Sequence, residues 1–235
     1  MTDPVLVCCS HGTDSAAGRA VVTAIVDRAR ASLGVETRET YVDVQQPQVD
    51  EVVASVEGPT VVVPLLLSPG FHTAVDIGRA AASRDDVVVT PTLGPHPFLV
   101  EALEERLERA GVRSGDHVVL AASGSSRPEA AARVEQVRAA LDERIAAPVT
   151  VGFAYGARPT VTAAVRAARA SGARRVVIAS YVLAPGHFAD LIAAAGADVV
   201  TDPLGVAPSG GADERIVRIV AERYRTAAAE LIAEV

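Results

Sequence analysis

Short apolar runs alternate along this chain with longer stretches in which apolar residues recur at helical spacing. In the first half the runs predict strands at residues 5–10, 35–42, 61–67 and 86–90. In the second half they predict strands at residues 117–122, 149–154, 175–182 and 198–201. Because a helical stretch follows each of these strands, the pattern predicts an α/β fold with mostly parallel sheets flanked by helices.

The two halves resemble each other. Four landmarks recur at nearly constant offsets: Ser10 with Ser123 (113), Pro47 with Pro159 (112), Leu93-Gly94 with Leu204-Gly205 (111), and Pro69-Gly70 with Pro185-Gly186 (116). This repetition predicts two similar lobes, residues 1–112 and residues 113–235, facing each other across a cleft. Clefts of this kind are favoured places for ligands.

Composition excludes several classes of function. The net charge of −7 argues against nucleic acid and against an acidic membrane surface as partners. The sequence contains no lysine, which rules out a P-loop lysine and a Schiff-base lysine. Cys8 and Cys9 lie inside a predicted buried strand and are expected to be core residues. With no signal-peptide pattern and no apolar run near the ~20 residues that span a bilayer, we expect a cytoplasmic protein.

Two histidines follow buried strands. His11 comes directly after the strand at residues 5–10, and His72 follows the turn Ser68-Pro69-Gly70 after the strand at residues 61–67. Ligands of open parallel sheets bind at this carboxyl edge. A single histidine there is usually a hydrogen-bonded loop residue, whereas two leave the functional and the structural interpretation equally open. His187 is a candidate accessory contact, and His96 and His117 are expected to be structural.

An ordered set of motifs resembles one family. The motifs are Ser10-His11-Gly12, Asp43 before Pro47, the run from Val63 to His72 (VPLLLSPGFH), Asp76-Ile77, and Leu93-Gly94-Pro95-His96-Pro97. Together they resemble the class II tetrapyrrole metal chelatases, in the long two-repeat form of the sirohydrochlorin chelatases. The resemblance covers nearly the whole chain. It implies two flavodoxin-like lobes that enclose the macrocycle, the first carrying the active site and the second a degenerate repeat.

The resemblance also implies the site. His11 and His72 are its catalytic histidines and contact the metal, and Asp43 stands where the family usually has Glu, with its charge about one methylene further back. Substrate carboxylates need hydrogen-bond donors at the helix starts. The expected substrate-binding residues are Ser10, Gly12, Thr13, Ser68, Gly70, Phe71 and Thr73. We expect the carboxylate of Asp43 to face the same cleft as the histidines.

The function implied is insertion of a divalent metal into sirohydrochlorin, with Fe²⁺ on the way to sirohaem or Co²⁺ on the way to cobalamin. The metal is a substrate, and no tightly bound cofactor is expected. A monomer is expected because the two repeats supply both lobes. Two alternatives remain, a non-catalytic metal- or tetrapyrrole-binding protein and a periplasmic-type binding protein, although the missing signal peptide argues against the second.

Overall fold

Two four-stranded sheets, each wholly parallel and each flanked by helices, make up the fold. The computed structural model describes residues 3–68 and 70–233, without the side chains of residues 71–74. The predicted α/β fold class is therefore confirmed, including the likeness of the two sheets.

The first sheet has the strand order β2-β1-β3-β4, and the second repeats it as β6-β5-β7-β8. The strands are β1 (Val5–Ser10), β2 (Thr37–Tyr41), β3 (Thr60–Pro64), β4 (Val87–Val89), β5 (His117–Ala122), β6 (Val149–Phe153), β7 (Val176–Tyr181) and β8 (Val199–Val200). The helices are α1 (Ala16–Leu33), α2 (Val49–Ser55), α3 (Phe71–Ala81), α4 (Pro97–Arg109), α5 (Pro128–Asp142), α6 (Val161–Ala170), α7 (His187–Ala193) and α8 (Glu214–Ala233).

Helices on both faces explain why the central strands are mostly apolar. All six residues of β1 are buried. Alternate side chains of a strand point to opposite faces. Val5, Val7 and Cys9 therefore pack in one core with residues of α2 and α3, while α1 and α8 pack together on the other face and contact β2 and β3. This double burial is what produces near-continuous apolar runs in parallel sheets.

The compact units of the structure are not the two sequence halves. One unit contains the residues up to Gly94 together with those from Ala207 onward, and the other is Pro95–Val206. Helix α4 belongs to the unit of β5–β8, where it packs on β7 and α5, and α8 belongs to the unit of β1–β4. The bounds 1–112 and 113–235 thus describe the repeat in the sequence, whereas each compact unit contains the last helix of the other half.

Strand β3 is shorter than predicted. It ends at Pro64, opposite Cys9 of β1, and one further hydrogen bond joins Leu65 N–H to the carbonyl of Cys9 (2.8 Å). Leu65 and Leu67 are buried all the same, at 2% and 8% exposure. The apolar run continues because the segment is buried, whereas the strand itself ends one residue before β1 does. Among the described residues, no helix is long and apolar enough to cross a membrane.

Candidate active site

His11 lies at the carboxyl edge of the first sheet, as predicted. It follows the last residue of β1, the central strand between β2 and β3, and its side chain is exposed. The chain changes from buried at Ser10 to exposed at His11, at the point where β1 ends. The sequence thus places an accessible imidazole at the end of a rigid, fully buried strand.

Asp43 lies directly beside His11. Its backbone N–H donates to the carbonyl oxygen of His11 (3.0 Å), and Val42 N–H donates to the carbonyl of Ser10 (3.0 Å). These bonds continue the β1–β2 pairing by two residues. The carboxylate of Asp43 is exposed, and its Oδ1 accepts the N–H of Val44 (2.7 Å). The structure therefore brings His11 and Asp43 together on adjacent loops.

The close approach of these loops requires glycine at position 12. Gly12 has a φ of +93°, and a Cβ built on it would lie 2.1 Å from the carbonyl oxygen of Asp43. Both features exclude a side chain, since real atoms do not approach so closely and only glycine adopts this backbone conformation readily. Gly12 is consequently a backbone requirement of the site and needs no contact with a ligand to explain it.

Thr13 and Ser15 complete the entry into α1. The Oγ1 of Thr13 accepts Ser15 N–H (3.1 Å), and the Oγ of Ser15 accepts Gly18 N–H (3.1 Å) as the N-cap. The backbone N–H of Thr13 donates to Oε1 of Gln45 (2.9 Å). This amide, which we expected to face a substrate carboxylate, is therefore already paired. The sequence did not predict a role for Gln45, because no short motif connects residues 32 positions apart.

The third strand brings His72 to the same edge. Phe71 and His72 are the first two residues of α3. Gly70 is the N-cap of that helix, and Ser68 is half-buried. Pro69 and the side chains of Phe71, His72 and Thr73 lie outside the described residues. Their predicted contacts with metal and substrate stay predictions.

Ser10 is an unusual member of the predicted set. Its side chain is 4% exposed, and its Oγ has no hydrogen-bond partner among the described residues. Buried hydroxyl groups are normally hydrogen-bonded. The predicted role of Ser10 in substrate binding stays a prediction. It requires that a substrate reach this buried hydroxyl group.

Several other ionisable groups near β1 are unsuited to bind a metal or a proton from the substrate. Burial raises the pKa of Cys9 to about 12 and that of Cys8 further still, so both thiols stay protonated at neutral pH, as expected of core residues. Burial and a hydrogen bond to Glu39 raise the pKa of Tyr41 to about 12. Among the described side chains, which exclude His72, no three His, Cys, Asp or Glu residues are grouped to hold a metal.

The second unit keeps the backbone scaffold of this site but has other residues at the candidate positions. At an offset of 112, Ser123 stands at the position of His11 and Tyr155 at that of Asp43, with the same backbone bond from Tyr155 N–H to the Ser123 carbonyl (2.9 Å). The predicted match of Ser10 with Ser123 is thus wrong by one residue. Ser10 corresponds to Ala122, and Ser123 stands one position further along, where the first unit has His11. At an offset of 116, Phe188 stands at the position of His72.

The remaining histidines have mainly local roles. The Nδ1 of His96 accepts Phe98 N–H (3.2 Å) and caps α4, and Nε2 of His117 lies 3.0 Å from Oγ1 of Thr150. His187, the first residue of α7, is exposed beside Phe188 with 5.5 Å between the ring centroids. It matches Phe71 in the first unit, so an accessory role for it stays a prediction.

The fold is similar to solved structures of chelatases. SirB from Bacillus subtilis with Fe³⁺ has a TM-score of 0.76 and 19% identity, with 97% of each chain covered. The cobalt complex of SirB from Bacillus subtilis subspecies spizizenii has a TM-score of 0.74 and 17% identity, again with 97% of each chain covered. CbiX, the terminal enzyme of sirohaem biosynthesis in denitrifying bacteria, has a TM-score of 0.68 and 21% identity over 95% of this chain and 99% of that one.

Comparison with curated protein sequences finds no match. The family model for CbiX, in contrast, matches residues 5–110 and again residues 117–227. The two matches correspond to the two repeats and include both candidate loops of the first sheet. This chain therefore belongs to the CbiX family of class II chelatases.

Proposed function

We propose that this protein is a sirohydrochlorin chelatase that inserts Fe²⁺ into the macrocycle on the way to sirohaem. The observation that carries the proposal is the backbone hydrogen bond from Asp43 to His11, which joins the backbones of a histidine and an aspartate at the carboxyl edge of the first sheet. Membership of the CbiX family supports the choice of reaction.

The reaction exchanges protons for a metal ion. Two pyrrole N–H bonds break, two protons leave the ring, and one divalent cation takes their place, so the charge of the ring core is balanced. A neutral imidazole accepts a proton near pH 7. We assign that task to His11, which is exposed where its strand ends, with His72 in the first turn of α3 as the second histidine.

The metal must be held weakly enough to be released. Imidazole and carboxylate bind Fe²⁺ and Co²⁺ without the tight grip of a set of thiolates. Asp43 contributes the negative charge, and the protonated thiols of Cys8 and Cys9 do not compete for the ion. A site of two histidines and one carboxylate therefore suits delivery of a metal better than its storage.

Co²⁺ is the alternative metal, with a product on the way to cobalamin. SirB has been solved both with Fe³⁺ and with cobalt, which favours a family site that accepts either ion. The ligand set of His11, His72 and Asp43 does not discriminate between these two ions by its chemistry.

The proposal is tested by anaerobic absorbance measurements of metal insertion. Sirohydrochlorin is mixed with Fe²⁺, Co²⁺ or Ni²⁺ in turn at substoichiometric protein, and the rate in a protein-free blank is subtracted. We expect many turnovers per protein with Fe²⁺. A non-catalytic binding protein would instead give at most one equivalent of bound ligand and no excess rate, and that result would refute the proposal.

Asp43 offers a matched charge comparison. Asp43→Asn removes a carboxylate beside His11, whereas Asp14→Asn removes an exposed carboxylate from the loop after β1 that we assign no role. We expect the first variant to insert metal more slowly and the second to keep the wild-type rate. Equal rates for both variants would remove Asp43 from the site.

A further inference from the structure

The loops that carry His11 and Asp43 are joined by three hydrogen bonds. Two of them join backbone to backbone and continue the pairing of β2 with β1. The third is different in kind, because the N–H of Thr13 donates to the side-chain oxygen Oε1 of Gln45 (2.9 Å). A hydrogen bond to a side chain therefore joins the two loops beyond the point where the backbone pairing ends.

The second unit shows which of these bonds belong to the scaffold. It repeats both backbone bonds, from Ala154 N–H to the Ala122 carbonyl and from Tyr155 N–H to the Ser123 carbonyl, at 2.9 Å each. At the position of Gln45 it has Ala157, whose methyl group offers no acceptor. The side-chain bond thus occurs in the repeat that keeps the candidate catalytic residues.

Both ends of the bond are anchored. The carbonyl of Gln45 accepts Nε2 of Gln48 (2.8 Å), and Gln48 is the N-cap residue of α2. Thr13 is held by Ser15, the N-cap of α1, whose N–H donates to Oγ1 of Thr13 (3.1 Å). The bond from Thr13 to Gln45 therefore connects the starts of two helices that pack on opposite faces of the first sheet.

We infer that Gln45 is a positioning residue for metal insertion, an inference that rests on the proposed function. His11 lies within a segment tied to the loop of Asp43 at two points, by its own carbonyl and by the N–H of Thr13. With both ties in place, the backbones that carry the imidazole and the carboxylate keep one separation. Small displacements of reacting groups lower rates strongly.

Three single variants test this inference. Gln45→Ala removes the acceptor and installs the residue of the second unit, Gln45→Glu keeps an acceptor oxygen, and Gln46→Ala is the matched control, since the exposed side chain of Gln46 makes no hydrogen bond among the described residues. We expect Gln45→Ala to lower kcat about tenfold, equal to roughly 1.4 kcal/mol. KM for the tetrapyrrole should be unchanged, and the other two variants should stay near the wild-type rate.

A purely structural role is distinguished by two further measurements. If Gln45 acts through His11, then Gln45→Ala has no further effect on rate in the His11→Ala background. Hydrogen exchange at Thr13 N–H reports the bond itself, and it should be faster in Gln45→Ala and unchanged in Gln45→Glu.

The outcomes separate this inference from the proposed function. A wild-type protein without metal insertion overturns the proposed function and this inference with it. An active wild type together with a Gln45→Ala variant that exchanges Thr13 N–H faster yet keeps its rate overturns the inference alone. An undiminished effect of Gln45→Ala in the His11→Ala background does the same.

Discussion

The N–H of Asp43 donates a 3.0 Å hydrogen bond to the carbonyl of His11, so that the two residues are neighbours through their backbones. A backbone contact survives substitution of either side chain. The chemistry of both residues can therefore be altered without dismantling the two loops, which makes the site open to clean mutational tests.

We expect His11→Ala and His72→Ala each to lower the insertion rate by about 10²–10⁴-fold, because general acid–base groups contribute on that order. The rate of the double variant should fall by much less than the product of the two single losses, since the residues act as a unit.

The rate of His187→Ala should fall by less than about tenfold, because His187 matches Phe71 in the first unit. The measurement is the anaerobic rate, with the melting temperature as the control. A nearly normal His11→Ala protein beside an inactive His187→Ala protein would assign the chemistry to the other unit.

Gly12→Ala should destabilise the protein by more than Gly34→Ala. Both glycines have positive φ angles, +93° and +71°, and share the backbone strain of about 1–2 kcal/mol that a side chain introduces there. A Cβ at Gly12 would also lie 2.1 Å from the Asp43 carbonyl oxygen, whereas nothing lies within 4 Å of one at Gly34. Urea unfolding of the two variants checks this. Equal losses in unfolding free energy would mean that the loops separate readily.

Val44→Gly should stabilise the protein. Val44 has a φ of +62°, which is unfavourable for a β-branched residue by about 1–3 kcal/mol, and its counterpart Gly156 has a φ of +70°. The larger unfolded-state entropy of glycine offsets about 0.5–1 kcal/mol of the gain. Val44 is 47% exposed, so little burial is lost. Val75→Gly is the control, because Val75 is 46% exposed in α3 and glycine there should destabilise. A lower unfolding free energy for Val44→Gly would contradict this account.

Acidic pH should lower the stability of the folded protein, partly through protonation of Asp116. Burial opposes its ionisation, but hydrogen bonds from Arg175 (2.8 Å) and from Arg113 N–H (3.0 Å) outweigh that effect and lower its pKa. A lowered pKa stabilises the folded state above the unfolded pKa of about 3.9, and this stabilisation is lost as the pH falls through the lower, folded value.

Asp116→Asn should therefore lower the unfolding free energy by about 1 kcal/mol at pH 7, and the difference from wild type should shrink as the pH is lowered below about 4. Urea unfolding of both proteins across that range measures the difference. Groups that titrate in both proteins cancel in it, His117 among them. A difference that is constant with pH would show that the carboxylate is not ionically stabilised in the fold.

The tertiary structure decided the details that depend on partners distant in the chain. Strand β3 stops at Pro64, opposite Cys9 and one residue before the end of β1, although the apolar run goes on to Leu67. The serines of SHG (residues 10–12) and SGS (residues 123–125) predicted an alignment of the two repeats that is one residue off. The matching backbone bonds of Asp43 and Tyr155 correct this alignment. Helices α4 and α8 each pack with the opposite half, because an apolar helix face does not specify which of two similar sheets it covers.

The sequence by itself determined the α/β class, the parallel sheets, the family and the placement of His11 and Asp43 at the carboxyl edge of the first sheet. The fold class, the parallel sheets and the placement of the two residues follow from local quantities, namely apolar runs, turn residues and the residue that comes after each strand. The family follows from the resemblance of an ordered set of motifs. The contact between His11 and Asp43, the need for glycine at position 12 and the bond from Thr13 to Gln45 came only from the folded chain. Each of them joins segments about 30 residues apart, and such contacts are set by how the strands pair, which no local pattern encodes.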